Sequence, residues 1–459
     1  MELSKKSIKR RAFILNGNLW KVMLTLSAPL AMFAIFNYIG DIFDILIATK
    51  IGTSQIASLI FIDQIRASIS AFGTGIAAAG IVIVGRHYGA NELDEAKKKA
   101  STSFILTILV AVGLMVIFLA LGKPIMMLLN APKEIIDVSM GYFNIQMITT
   151  CFIAINAVFF GLEKAKGNTP KVFLFNMMGI IIRISISSVF ILVLNKGFIY
   201  MALGNLIAQG MITIVGIFTM FHKKNPFQIK FKNIRLNKET VLPILTLALP
   251  IFLGSMLFNV GKIFVNAMAA FYGTTAIAAL GVSLKVVSGG AQFASTFEET
   301  ESLVVSQNLG KKQLSRAVKA FFIALTYALS IGVLVVVFVI LFQNQLVSLF
   351  SRSDDPMYYE MVFNIIKWEK YSAISSAAIA IFAGFFNGFK RTRFTFIMNI
   401  CRLYLFRIPA LIIFRAMQLG YESLGYAMFI SNTSTAIIGL CMSLFLLNRI
   451  KKYDLNIIN

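Results

Sequence analysis

The 459-residue chain is 58% hydrophobic and 14% charged, and it carries a formal net charge of +23. About a quarter of the residues of an ordinary soluble domain are charged, so this composition excludes one. The positive balance does not mark a nucleic-acid-binding module, because the basic residues are spread among loops instead of gathering on one segment.

Crossing a hydrocarbon layer of about 30 Å takes roughly 20 helical residues. Apolar stretches of that kind predict twelve spans, near 19–49, 54–85, 101–121, 135–160, 171–194, 199–221, 241–271, 275–306, 319–342, 361–388, 394–415 and 424–447. No alternating ten-residue pattern appears, so a β-barrel is not expected. The predicted fold class is an all-α, multi-pass membrane protein. Bases fill the N-terminus (Lys5, Lys6, Lys9, Arg10, Arg11) and the loops after spans 2, 4, 6, 8 and 10, whereas the alternate loops hold few, such as Lys50, Lys123 and Lys196. The positive-inside rule then predicts an even number of spans in a plasma membrane, with both termini cytoplasmic. No small-residue cleavage motif follows the basic N-terminus, so the first span is expected to be retained.

Cys151, Cys401 and Cys441 all fall in predicted spans without CxxC spacing, which points to neither a disulfide nor a metal site. His87 and His222 fall on predicted cytoplasmic loops and read as solvated residues. No phosphate-binding loop is present: beside Gly310-Lys311, Val305 stands where such a loop needs glycine. Neither enzyme chemistry nor a cofactor is indicated, and uphill transport would draw on an ion gradient.

An ionisable group inside a span costs about 2.5–3.5 kcal/mol on the insertion scale and usually faces a cavity. In span 1, Asp41 and Asp44 are spaced i,i+3 on one helical face. Two carboxylates that close repel, and exchange of a proton or Na⁺ would relieve the repulsion. Solvated aspartates at an outer helix end are the plainer alternative. Pro29 removes a backbone hydrogen bond below them and allows a bend. Asp63 and Arg66 in span 2 are also i,i+3 and read first as an internal salt bridge. Arg183 sits in the middle of span 5 with Ser187 one turn on.

The stretch 222–240 interleaves Phe and Ile with Lys and Arg, reading as a segment on an anionic membrane surface. Lys262 lies in span 7 after Pro250, and span 8 carries Lys285, Gln292 and Glu299 at sevenfold spacing, a polar stripe suited to lining a cavity. Lys367, Glu369 and Lys370 in span 10 are expected to snorkel to the interface.

The chain also repeats itself. A single ungapped shift sets Pro29 on Pro250, Gly40 on Gly261, Ile42-Phe43 on Ile263-Phe264, Gly52-Thr53 on Gly273-Thr274 and Leu203-Gly204 on Leu424-Gly425. Internal repeats of membrane helices are how many secondary transporters build a central site. The predicted organisation is an N-lobe over 1–222, a basic cytoplasmic linker over 223–240 and a C-lobe over 241–459. The same shift puts Asp41 opposite Lys262.

The stretch APLAMFAIFNYIGDIFDILIATKIGTSQIA that opens the first half, its counterpart ALPIFLGSMLFNVGKIFVNAMAAFYGTTAIAAL and the loop motifs GRHYGA and QNLGK together resemble the multidrug and toxic compound extrusion (MATE) family over nearly the whole length. The resemblance implies two pseudo-symmetric bundles of six helices in a V, and rocker-switch efflux of organic compounds in exchange for H⁺ or Na⁺. It equates Pro29 and Asp44 with the family's span 1 proline and cation-linked aspartate, and Asn176 and Gly179 with its span 5 pattern. Arg183 and Ser187 stand where an Asn and an Asp are usual, and Phe258 falls near the span 7 Glu of some branches. Asp41 could replace the missing acid, with Arg183 holding it charged. With Lys262 and Lys285, these departures suggest a cavity of mixed charge and a zwitterionic or anionic cargo as readily as a cationic drug.

The leading expectation is a monomeric secondary exporter of small organic molecules. Asp44 and Asp41 would couple it to H⁺ or Na⁺; its cavity would include Asp63, Arg66, Asn176, Arg183, Ser187, Lys262, Lys285, Gln292 and Glu299; and Pro29 and Pro250 would permit bending. The alternative is a flippase of the wider superfamily moving a lipid-linked saccharide. A receptor or scaffold would not need the repeat, and a channel lacks a filter loop.

Overall fold

A computed structural model describes residues 4–49, 53–128, 133–197, 199–350 and 356–453, with some side chains inside those ranges, including 41–42, 44–49 and 53–61, outside the description. The described residues are mostly helical, with no strand among them. In chain order the helices are α1 (Lys5–Asn16), α2 (Leu19–Thr49), α3 (Thr53–Gly89), α4 (Leu93–Leu128), α5 (Lys133–Ala165), α6 (Thr169–Ser188), α7 (Ile199–Phe221) and α8 (Lys238–Ala269). They continue as α9 (Thr274–Gly310), α10 (Leu314–Phe350), α11 (Pro356–Glu369), α12 (Ser372–Gly388), α13 (Thr392–Ile400), α14 (Ile408–Ala416) and α15 (Ser423–Tyr453). Among the described residues, ten helices are long and apolar enough to cross a membrane. Two bent pairs, 275–287 with 292–310 at 51° and Pro356–Glu369 with Ser372–Gly388 at 50°, bring the number to twelve when each is one crossing.

The chain forms two compact units. Unit 1 comprises Met1–Asn18, Leu24–Phe252 and Gly310–Lys312; unit 2 comprises Leu19–Met23, Leu253–Leu309 and Gln313–Asn459. Lipid tails are as apolar as leucine, so spanning helices associate through close packing of small residues rather than by escaping water. In unit 1, α3 packs along α5 with Gly73 against Ala154 and Gly161 against Ala77; a Cβ on Gly73 would lie 2.6 Å from the Ala154 Cα. In unit 2, Gly384 of α12 lies against Glu298 of α9, and Gly332 of α10 against Ile374 of α12. A leucine at Gly73 or Gly384 would force its helix pair apart.

Three local features differ from the sequence reading. Span 10 is broken: α11 stops at Glu369 and α12 starts at Ser372. Glu369 and Lys370 are therefore turned inward, 3% and 8% exposed, with Lys370 Nζ donating to Gln343 Oε1 at 3.0 Å; only Lys367 stays exposed as snorkelling requires. Second, the basic stretch 222–240 does not lie wholly on a surface. Phe227 and Ile229 are buried in unit 1, Phe227 edge-on to Tyr88 at 5.2 Å, and Ile229 N–H donates to the Met220 carbonyl at 2.9 Å. Phe231 and Leu236 remain exposed. Third, π-helical turns interrupt two predicted spans, at Val189–Val193 after α6 and at Cys401–Arg407 between α13 and α14.

Candidate functional site

In unit 1, Asp41 and Asp44 stand on α2, but their side chains lie outside the described residues. The surface beside them is described. A Cβ on Gly40 would lie 2.7 Å from Nη2 of Arg183 and 3.2 Å from Cγ2 of Ile180. The missing side chain at Gly40 thus admits the Arg183 guanidinium to the α2 backbone one residue before Asp41. Ser187 is buried one turn on, against Gly204 of α7, and its Oγ has no hydrogen-bond partner among the described residues. Half-buried Asn176 donates from Nδ2 to the Val172 carbonyl of its own helix at 2.8 Å. Asp63 and Arg66 pair on α3, with Arg66 Nε 3.0 Å from Asp63 Oδ1 and both partly exposed. Pro29 and Pro250 lie inside α2 and α8.

On α9, the 51° bend falls between Lys285 and Gln292. Lys285 is exposed on the first segment, while Gln292 and Glu299 are half-buried on the second, so the sevenfold stripe is divided between two helix directions.

Unit 2 gathers Lys262, which the sequence had marked, with Arg402 and Arg407, which it had not. Lys262 Nζ stands 5.0 Å from the Phe258 ring centroid, and the Arg402 guanidinium carbon stands 5.1 Å from the same centroid. Arg402 donates from Nε to Asn432 Oδ1 at 2.6 Å and from Nη2 to Ser376 Oγ at 3.1 Å. Arg407, 4% exposed, donates from Nη2 to the same Asn432 oxygen at 2.9 Å and from Nε to Ser431 Oγ at 3.0 Å. None of the three is ion-paired among the described residues. Their hydrogen-bond partners are neutral oxygens, and the buried Glu369 carboxylate lies within electrostatic reach of Arg407, so it is Lys262 and Arg402 that keep charge to attract a carboxylate or phosphate.

The π turn explains how both arginines reach one acceptor. Residues five apart on an α-helix diverge by about 140°, since 3.6 residues make a turn. A π turn closes with i→i+5 hydrogen bonds and brings such residues round to nearly the same side. The signal in the sequence was the rule already applied to Asp41, that charge inside a span is functional. Arg402 and Arg407 satisfy it, but a spacing of five is not that of an α-helical face, so no stripe drew attention to them.

The described residues thus define an all-α, multi-pass membrane-transporter fold with ionisable residues inside spanning helices of both units. The MatE family model matches residues 29–189 and 250–413, beginning at the two prolines that the internal repeat superposes. The chain therefore belongs to the MATE family. It is 21% identical over 370 residues to the probable multidrug resistance protein YoeA of Bacillus subtilis, covering 79% of this chain and 80% of the relative. It is 22% identical over 439 residues to the multidrug export protein MepA of Staphylococcus haemolyticus, covering 95% of each. Among solved structures, an outward-facing MATE transporter matches with a TM-score of 0.92 at 19% identity, covering 98% of this chain and all (100%) of that one. A Pyrococcus furiosus transporter described as having a binding pocket of reverse polarity matches with a TM-score of 0.92 at 19% identity, over 98% and 100% of the two chains.

Proposed function

We propose that this protein is a secondary active exporter of small organic molecules, working by rocker-switch alternating access against an H⁺ or Na⁺ gradient. Family membership across both halves supports the reading, as do relatives named for multidrug resistance and export. The observation that carries it for this chain is the in-span charge on each unit, with Arg183 reaching α2 beside Asp41 and Lys262 and Arg402 sharing one ring. Asp44 and Asp41 serve as the ion-coupling pair, and Pro29 gives α2 a place to bend. Lys262 and Arg402 in unit 2, with no carboxylate set against them among the described residues, suit cargo with a carboxylate or phosphate, alone or as part of a zwitterion, better than a simple organic cation.

Uptake into inverted vesicles under separately imposed pH and Na⁺ gradients tests the reading with a panel of anionic, zwitterionic and cationic compounds. Gradient-driven uptake in the wild type and its loss in Asp44→Asn, with the variant still folded, are expected. Full activity in Asp44→Asn would remove the ion assignment. The same cations would also fit the phosphate of a lipid-linked saccharide, so reconstituted vesicles should be assayed for movement of such a lipid between leaflets. Flipping without uptake of any soluble compound would favour the flippase.

A further inference from the structure

A recess of about 440 Å³ opens in unit 1 beside α1 and the adjoining ends of α5, α6 and α7. Its walls carry four fixed cations, Arg10, Lys166, Lys171 and Lys224, against one carboxylate, Glu163. Lys166 and Glu163 belong to the framework. Both are buried, Lys166 Nζ lies 2.6 Å from Glu163 Oε1 and donates to Asn225 Oδ1 at 3.0 Å, and Asn168 Nδ2 donates to the other carboxylate oxygen at 2.8 Å. Lys171 Nζ makes a longer ion pair with Glu163 at 3.7 Å, donates to Thr219 Oγ1 at 3.4 Å and stands over the Phe159 and Phe175 rings, with 28% of its side chain exposed. Arg10 and Lys224 form no ion pair among the described residues. Glu163 thus balances one charge of the two lysines beside it, and the recess keeps a net excess of positive charge, with Arg10 and Lys224 unbalanced. The N-terminus of α6 adds to this field: its N-cap, Asn168, makes no side-chain capping bond, and its Nδ2 donates to Glu163 instead.

The mouth has an apolar side. Val215 and Phe218 of α7 line it, 40% and 72% exposed. Phe218 ends a stripe through Met211 and Ile214, 47% and 56% exposed, on a helix that qualifies as a span. An exposed apolar stripe on a spanning helix faces acyl chains, and this one leads into a cationic recess at the helix end. Tail first and phosphate second is the order of groups in a phospholipid, and basic pockets between spanning helices suit anionic headgroups. Free phosphate would use the cations and leave the stripe without a role.

We propose that this recess binds the phosphate headgroup of an anionic membrane lipid, with Arg10, Lys171 and Lys224 around the phosphate and an acyl chain along the Phe218 stripe. The site lies wholly within unit 1 and stands independently of the transport reading. A bound lipid would clamp α1 and the α5–α6 turn to the end of α7.

The test uses the purified full chain in a neutral detergent, titrated with phosphatidylglycerol, phosphatidylcholine or inorganic phosphate. Bound lipid is read by native mass spectrometry and folding by the thermal midpoint. Phosphatidylglycerol should be retained and should raise the midpoint, and phosphatidylcholine should do neither. Arg10→Gln and Lys224→Gln, both on solvent-accessible ground, should each weaken phosphatidylglycerol about five-fold. Phe218→Ser should weaken it as well, and Lys312→Gln, a base outside the recess, should not. Equal retention of phosphatidylcholine, or unchanged phosphatidylglycerol binding in an Arg10→Gln/Lys224→Gln double variant that melts like the wild type, would overturn the site. Inorganic phosphate that displaces the lipid and stabilises the protein as well as the lipid does would overturn the lipid assignment in favour of a free anion.

Discussion

Two buried glutamates show how little a residue's type decides until its partners are known. Glu163 is 1% exposed and accepts from Lys166 and Asn168, with Lys171 close by. Glu301 of α9 is fully buried as well, yet neither carboxylate oxygen has a hydrogen-bond partner among the described residues, and Gly384 of α12 is pressed against it. Removing one member of a buried ion pair leaves the other charge unpaired, which costs about 3–5 kcal/mol. Glu163→Gln is therefore expected to lower the thermal midpoint sharply, because Lys166 keeps its charge and loses its counterion. Glu301→Gln breaks no bond, keeps the shape, and should change stability by less than about 1 kcal/mol. Thermal melts of the two variants in one detergent check the contrast, and equal losses would show that Glu301 has a partner. Neither role could be read from the sequence. Glu163 sits three residues before a lysine in what reads as a loop, and Glu301 looks like the flank of a polar stripe.

At the scale of elements, span positions were legible because each needs a long apolar run, and no other arrangement of such runs fits a bilayer. The interruptions were not. A π turn leaves composition and hydropathy unchanged, and the break between Glu369 and Ser372 contains neither proline nor glycine. The π segment Cys401–Arg407 makes an asymmetric prediction. Deleting Leu405, which is 57% exposed, leaves the arginines four apart, on one face of a plain α-helix. Inserting an alanine at that point sets them six apart, about 120° out of line. The deletion should fold with a near-normal melting temperature and keep transport, while the insertion should lose both, because one arginine can no longer reach Asn432. A deletion as damaging as the insertion would show that the π geometry itself is required.

For the molecule as a whole, the duplication was the clearest signal in the sequence, and within each unit it has a physical use. Gly40 lets α2 approach Arg183 of α6, and its repeat partner Gly261 lets α8 approach Leu403 and Tyr404 of the π segment, so each unit seats its first long helix on the same kind of small residue. In-span charge at Asp41, Asp44 and Lys262 was legible in the sequence, whereas the convergence of Arg402 and Arg407 on Asn432 needed coordinates. The open question of scale is whether the two bent pairs cross the membrane or turn back. A re-entrant hairpin must reverse direction, but axes that differ by 51° or 50° still advance the same way. The 37 residues of α9 rise about 55 Å, ample for a bent crossing. The ends of α9 should therefore lie on opposite sides of the membrane. In a background with Cys151, Cys401 and Cys441 replaced, Thr275→Cys is expected to react with a membrane-impermeant thiol reagent from the outside of intact cells. Lys312→Cys should react only in inverted vesicles, in keeping with its basic loop. Labelling of both from one side would make the pair re-entrant, reduce the crossings to eleven or ten, and reverse the side assigned to every loop between the pair and the next such turn.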